Sequence, residues 1–357
     1  MSWDKDPHVR SPWGRPIEAL LEPRPRCQDL PGFDACYADI VDYILRCTHR
    51  IWEEKNIGLC ATHYSADCRV WTLGGVSVGA ATVIDNTLGA IEAFPDRSPV
   101  AEDVIWSEDA PGVFLSSHRI TSFATHLGPD AAAGAATVVR QGVRVIADCL
   151  CRENLIIDEW LVRDNWQAAR ELGRDPLVIA QALAAADRAG EPARHDWRAA
   201  ELARVRDMAP VAVPDDHPAA GPARALDLAF NRDLYGDAAA IVSSSIRAEW
   251  ASGRLVWGRG GWIGLLMQLA APLRDRRFRL DHAAARPLPG GDVAVALRWG
   301  LAGRHEGLGV WGTPTGRELL LVAISHYRLR GGRIIEDVTI FDELAVVRQV
   351  EGGLGAA

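Results

Sequence analysis

The sequence has no excess of basic charge. Its 39 Lys and Arg are outweighed by 47 Asp and Glu, and a net charge of -8 leaves nothing to neutralise nucleic-acid phosphates or an anionic lipid surface. Nor does it contain an apolar run approaching the roughly 20 residues of a membrane helix, and Met1-Ser-Trp-Asp-Lys-Asp-Pro7 lacks the apolar stretch of a signal peptide. A cytoplasmic chain with no nucleic-acid and no membrane partner is expected. Cysteine is absent beyond Cys151: Cys27, Cys36, Cys47, Cys60, Cys68, Cys149 and Cys151 all lie in the first 151 residues. Their odd number and the lack of Cys-x-x-Cys spacing exclude a disulfide framework and a structural zinc site, leaving reduced, packed thiols. Phenylalanine is scarce, 7 against 13 Trp, and tryptophan, with a large apolar face and one donor, suits cores, interfaces and pockets.

What is present divides the chain in two. At 357 residues it exceeds one small domain. Residues 1–33, with six prolines and with Trp3 and Trp13 between them, read as an extended arm. Apolar residues from Ile40 to Trp52 recur at helical spacing over 34–56, with Asp34 as N-cap. A second helix is expected over 80–93. Strand-like runs follow at 104–108, 113–126, 137–151 and 155–162, separated by turns such as Asp109-Ala-Pro-Gly112. Helices first and antiparallel strands afterwards make an α+β unit, here placed at 34–170. Residues 171–223, helical and then rich in Pro and Ala, read as a linker. A second unit at 224–350 repeats the order, with helices near 225–244 and 262–272, strands at 277–284, 293–303, 319–329 and 333–341, and a tail at 351–357.

The repeat has a register. Gly134 falls on Gly312 and Thr137 on Thr315 at an offset of 178, which also carries Ile156-Ile-Asp158-Glu159 onto Ile334-Ile-Glu336-Asp337 and Asp164 onto Asp342. With one residue of slippage, His126 and Gly128 fall on His305 and Gly307. Turn glycines, an apolar pair before acids and a terminal Asp coincide in order, the mark of a duplication.

Three motifs of the second half, His305-Glu-Gly-Leu-Gly309, Gly312-Thr-Pro-Thr-Gly-Arg317 and Tyr327-Arg-Leu-Arg-Gly-Gly332-Arg-Ile-Ile-Glu336, resemble the C-terminal half of a SnoaL-like domain of the nuclear transport factor 2-like superfamily. Trp52-Glu-Glu-Lys-Asn56, Tyr64, Asp67 and Phe94-Pro-Asp96 resemble its N-terminal half. The resemblance covers roughly residues 36–170 and 225–350. It implies tandem cone-shaped α+β barrels, each a curved antiparallel sheet wrapped on helices with a pocket in the concave face. It further implies an intramolecular pseudo-dimer of the two domains, and it allows a homodimer. Because such cones host cyclases, isomerases, dehydratases, hydrolases and binding modules, it fixes fold better than chemistry.

The last two strands of each copy form a hairpin turning at Glu153-Asn154 and Gly331-Gly332. A regular two-residue turn pairs Asp148 with Glu159 and Cys149 with Asp158, and His326 with Asp337 and Tyr327 with Glu336. Side chains alternate between faces, so one pair of each two lines the pocket. By the family's pattern the pocket face holds Ala147, Cys149, Asp158 and Trp160 in one copy and Ser325, Tyr327 and Glu336 in the other. The family's cyclase aspartate is replaced by Ala147 and Ser325, so that mechanism does not transfer intact. Asp148 either turns inward through a local shift or serves the opposite face.

His118, in Ser116-Ser-His-Arg119, lies mid-strand beside hydroxyls and a guanidinium able to bind a carbonyl or carboxylate. A histidine next to an acid in an apolar cone can transfer a proton beside a carbonyl, and a histidine satisfied by the backbone is the plainer alternative. The catalytic candidates are therefore His118, Asp148, Asp158 and Glu159. Candidates for binding a small-molecule substrate are Tyr64, Trp71, Arg119, His126, Trp160, His305, Tyr327 and Glu336, with His126 and His305 at the mouth. No His-x-His or His-x-x-x-His pair offers metal ligands, Gly258-Arg-Gly-Gly261 is not set in a strand–helix phosphate loop, and no Gly-x-Ser-x-Gly elbow occurs. The expectation is a cofactor-independent lyase, isomerase, cyclase or hydrolase using general acid and base. The alternative is a binding or scaffold protein of two packed cones.

Overall fold

A computed structural model describes residues 21–130, 132, 134–190 and 196–355. Most of the expected N-terminal arm, including Trp3 and Trp13, lies outside them. The chain forms two compact units. The first takes in residues up to Thr72, Val76–Arg163 and Ala168–Arg174; the second takes in Leu73–Gly75, Asp164–Gln167 and everything from Asp175 onward. The segment expected as a linker is therefore largely part of the second unit. Its helices Pro176–Ala189 and Asp196–Asp207 are held by buried ion pairs, Arg348 to Asp187 and Arg204 to Asp281, the latter bidentate at 2.8 and 2.7 Å.

In the first unit, strands β1 (Tyr64–Thr72), β2 (Gly75–Val78), β3 (Ser98–Ala110), β4 (Val113–Thr125), β5 (Arg140–Arg152) and β6 (Leu155–Arg163) form one sheet in the order β2-β1-β6-β5-β4-β3. β1 runs parallel to β6, and the long neighbours are antiparallel. The four antiparallel strands expected from the sequence are there. The added edge pair β1–β2 makes the sheet mixed. The helix Ile40–Trp52 buries Ile40, Val41, Tyr43, Ile44, Cys47 and Ile51, the apolar stripe that its spacing dictates. Its N-cap is Asp39, whose carboxylate accepts from the Asp42 N–H at 2.7 Å, and not Asp34. The main core joins this helix to Val104, Phe114, Ala147, Cys149, Cys151 and Ile156, which defines the concave face.

The second unit repeats the plan with β7 (Val242–Trp250), β8 (Arg254–Trp257), β9 (Leu273–Pro287), β10 (Val293–His305), β11 (Glu318–Arg330) and β12 (Arg333–Phe341), ordered β8-β7-β12-β11-β10-β9. The stretch Val242–Trp250, whose first residues were expected to close a helix, is a strand paired in parallel with β12. Its interior is filled by stacked and tilted rings of Phe230, Phe278 and Trp299. The repeated glycines have a steric cause. A Cβ on Gly128 would lie 2.4 Å from the Glu92 carbonyl oxygen, and one on Gly307 would lie 2.0 Å from that of Ala271. In both units the chain crosses the end of a helix where no side chain fits.

Both hairpins turn where expected, through positive φ at Glu153 and Asn154 and at Gly331 and Gly332, the geometry of a two-residue turn matched to strand twist. The ladder then slips by one. Cys151 pairs with Ile156 but Leu150 pairs with Asp158, so Ile157 is the extra residue of a β-bulge. Ile335 is its counterpart between Leu329–Ile334 and Arg328–Glu336.

Candidate active site

The bulge decides which acid faces inward. Cys149 stands opposite Glu159 and Asp148 opposite Trp160, where a regular hairpin pairs Cys149 with Asp158 and Asp148 with Glu159. In the second unit Tyr327 stands opposite Asp337, Arg328 opposite Glu336 and His326 opposite Val338. Since Ala147 and Cys149 belong to the core, Glu159 shares their face, whereas Asp148, Asp158 and Trp160 point to the other. The expected inward placement of Asp158, Trp160 and Glu336 is thus corrected to Glu159 and Asp337. Of the two readings for Asp148, the opposite face is the one observed.

Rows of direct cross-strand partners build the first unit's concave surface. One row runs Trp106–Ser116–Cys149–Glu159 from β3 to β6 and continues to Val70 on β1. The adjacent row runs Val104–His118–Ala147–Leu161. His118 therefore lies on the same face as Glu159, two strands away and one row along, and is buried. The Tyr64 hydroxyl donates to Glu159 Oε2 at 3.1 Å. Burial pushes the Glu159 carboxyl above the usual carboxylate range, and the Tyr64 hydrogen bond offsets part of that rise. Burial, followed by the Glu159 charge, raises the Tyr64 phenol well above its ordinary value. Around this pair lie the thiols of Cys47, Cys60 and Cys149, each raised by burial and by Glu159. Tyr64, Val70, Trp106 and Leu161, on the same face, are half-buried.

At the matching position of the second unit, Asp337 is fully enclosed. It accepts from Trp250 Nε1 at 3.0 Å, Trp262 Nε1 at 2.7 Å and Thr339 Oγ1 at 2.7 Å. Thr339 and Ser325 hydroxyls lie 2.7 Å apart, and Trp299 Nε1 donates to Ser325 Oγ at 3.0 Å. Burial raises the Asp337 carboxyl to about 6. Three indoles occupy the space around this acid, so the second cone is filled by its own side chains.

The remaining candidates lie elsewhere. Asp158 receives Arg69 Nε at 3.2 Å and Trp71 Nε1 at 3.3 Å on the outer face. Glu336 pairs with Arg247 at 3.4 Å, and Arg119 with Glu102 at 2.9 Å. His126 and His305 are wholly buried, each with Nδ1 3.2 Å from a threonine hydroxyl, Thr137 and Thr315; the former is stacked on Phe94. Tyr327 is buried opposite Asp337. The expected placement of Cys149 on the pocket face matches the structure, and sequence reading names Ser116 beside His118; it misses Trp106, the joining of these three in one row with Glu159, and the buried pair Tyr37–His63, whose hydroxyl and Nε2 are 3.0 Å apart. The hairpin turn located the row, but only the bulge assigns its members. Among the described residues no group of three His, Cys, Asp or Glu is arranged to hold a metal, and no helix is long and apolar enough to cross a membrane.

No family model matches the sequence, and no curated protein does. Solved structures that match include IdmH, a candidate polyketide cyclase from Streptomyces antibioticus, at 23% identity over 38% of this chain and 98% of that one, with a TM-score of 0.32. A SnoaL-like candidate polyketide cyclase from Jannaschia sp. CCS1 matches at 18% identity over 41% and 99%, TM-score 0.31. TsrD from Streptomyces laurentii matches at 17% identity over 37% and 94%, TM-score 0.33. Each spans about two fifths of this chain, the length of one unit. The likeness is to SnoaL-like polyketide cyclase structures, and it is a likeness of fold.

Proposed function

We propose that the first unit is a cofactor-independent acid–base catalyst acting on a small carbonyl compound, and that the second is a closed structural cone. The observation that carries this reading is the Glu159–Tyr64 pair, a buried carboxyl with raised proton affinity hydrogen-bonded to a phenol at 3.1 Å on a concave face shared with Ser116 and His118. A carboxyl poised above its ordinary range can take a proton from carbon beside a carbonyl and return it, and a neighbouring hydroxyl or imidazole can steady the enolate oxygen. The equivalent acid of the second unit is saturated by three donors, which favours a scaffold role there.

The test is solvent deuterium incorporation. The full chain is incubated in deuterated buffer with a flat aromatic ketone such as 1-tetralone, and loss of the α-proton signal is followed by NMR. Glu159→Gln is expected to slow exchange by about 10²- to 10⁴-fold and Tyr64→Phe by a smaller factor, with folding checked by circular dichroism. Exchange undiminished in Glu159→Gln moves the chemistry away from this acid. No catalysed exchange by the unaltered chain with any ketone of a panel leaves the binding-protein reading.

A further inference from the structure

A cleft of about 520 Å³ opens on the outer face of the first unit, between β1 and the β5–β6 hairpin. Its walls carry Ser65, Asp67, Arg69, Arg152, Glu153 and Asp158. Two irregularities of the sheet coincide there. β1 advances from Tyr64 to Arg69 while its partner β6 advances only from Ile156 to Asp158, and Ile157 is also the bulged residue toward β5. The strands part around Ile157, and polar side chains line the gap.

Both irregularities recur in the second unit, along with three of the charges: Arg247, Arg330 and Glu336 stand where the first unit has Arg69, Arg152 and Asp158. One arginine–acid pair is closed in both, Arg69 to Asp158 at 3.2 Å and Arg247 to Glu336 at 3.4 Å. The other arginine differs. Asp292, one residue before Val293, stands across from Arg330 and accepts from its Nε and Nη2 at 2.9 Å each. Across from Arg152 stands Val113. Arg152 is exposed on the cleft wall and makes no ion pair with any described residue. One guanidinium fork, present twice, is filled by a carboxylate in one unit and opens onto a cleft in the other.

We propose that this cleft binds a small zwitterion of the amino-acid type, its carboxylate on Arg152 as Asp292 is on Arg330, its ammonium between Asp67 and Glu153. The charges of the lining select this class. Asp158 is already satisfied by Arg69 and by Trp71 Nε1. That leaves one cation and two anions, Asp67 with a single bond from the Ser65 hydroxyl at 2.9 Å. A plain carboxylate meets two uncompensated acids, and a plain amine leaves the arginine without an acceptor. The volume lies within the usual range for small-molecule sites. This site is independent of the concave face and of the chemistry proposed there.

The experiment is isothermal titration calorimetry of the full chain with the standard amino acids, and with acetate and ethylamine as half-ligands. At least one amino acid is expected to bind about tenfold or more tighter than either half-ligand. Arg152→Gln, an exposed change that leaves the core intact, is expected to weaken binding by about tenfold or more. Val113→Asp installs the second unit's carboxylate across from Arg152 and is expected to do the same by occupying the guanidinium. Arg330→Gln is expected to leave binding unchanged. Equal binding to the unaltered chain and Arg152→Gln overturns the site, as does the lack of saturable binding by any amino acid up to about 10 mM. Acetate binding as tightly as the best amino acid overturns the zwitterion.

Discussion

Glu159 and Asp337 stand at one position of a repeated strand, yet their surroundings differ. Glu159 has one hydrogen-bond donor in Tyr64 and half-buried neighbours; Asp337 has two indoles and a hydroxyl and is fully buried. The Asp337 carboxyl lies at about 6 against an ordinary 3.8, so the folded chain holds its proton more tightly than the unfolded chain. The stability from this linkage is fully present below about pH 4 and is lost as pH rises through 6, on the order of 3 kcal/mol across that window. Urea unfolding at pH 4 and pH 7 should therefore show the unaltered chain gaining on Asp337→Asn as pH falls. An identical pH slope in both proteins would remove Asp337 from the account. At the first unit's acid, under the function proposed for it, the effect of Glu159→Gln is expected on exchange rate.

At the scale of elements, the bulge carries the most information. Deleting Ile157 should remove the bulge while keeping Leu150 opposite Asp158 and Cys149 opposite Glu159, so that the ladder becomes regular and Glu159 stays on the core face. Cooperative unfolding in a denaturant titration is therefore expected to survive the deletion, and Ile157→Val should cost only about 0.5–1.5 kcal/mol; loss of cooperativity on deletion would show that the bulge itself is needed for the fold. Where backbone meets backbone at a helix end, Gly307→Ala should destabilise by about 1–3 kcal/mol, because the Ala271 carbonyl must move. The hairpin turns, the long helix and the four antiparallel strands of each unit were legible because Gly-Gly, Glu-Asn and apolar periodicity act locally. The bulge was not, since Ile157 is one isoleucine beside another and nothing in its own chemistry says that it is skipped. Strand β1 escaped for a similar reason: its partner is β6, about ninety residues later, and Ser-Ala-Asp-Cys-Arg alone has no strand signature. His118 was readable as an interior histidine, while Ser116 and Cys149 on the same face become a row with Glu159 only through cross-strand register.

For the whole molecule, sulfur is distributed unevenly. Cys47, Cys60, Cys68, Cys149 and Cys151 are buried and Cys27 and Cys36 exposed, all in the first unit. Ellman's reagent should titrate the two exposed thiols before the five buried ones, with Cys36 ahead of Cys27, whose thiol burial and Asp39 hold above its ordinary range, and all seven after denaturation. More than two prompt thiols would mean that the first unit opens readily, and the rate at which the remaining five appear reports its opening alone. The second unit, without cysteine, stays silent in that assay. The bulge also has a history. Ile157 and Ile335 each add one residue at the same rung of the same hairpin, as an insertion that preceded the duplication would. The acid one turn of the pleat beyond was copied as well; the tryptophans that enclose Asp337 and the thiols that surround Glu159 differ between the copies and mark their separate descent. The same rung thus carries one acid with a single donor and one enclosed by three.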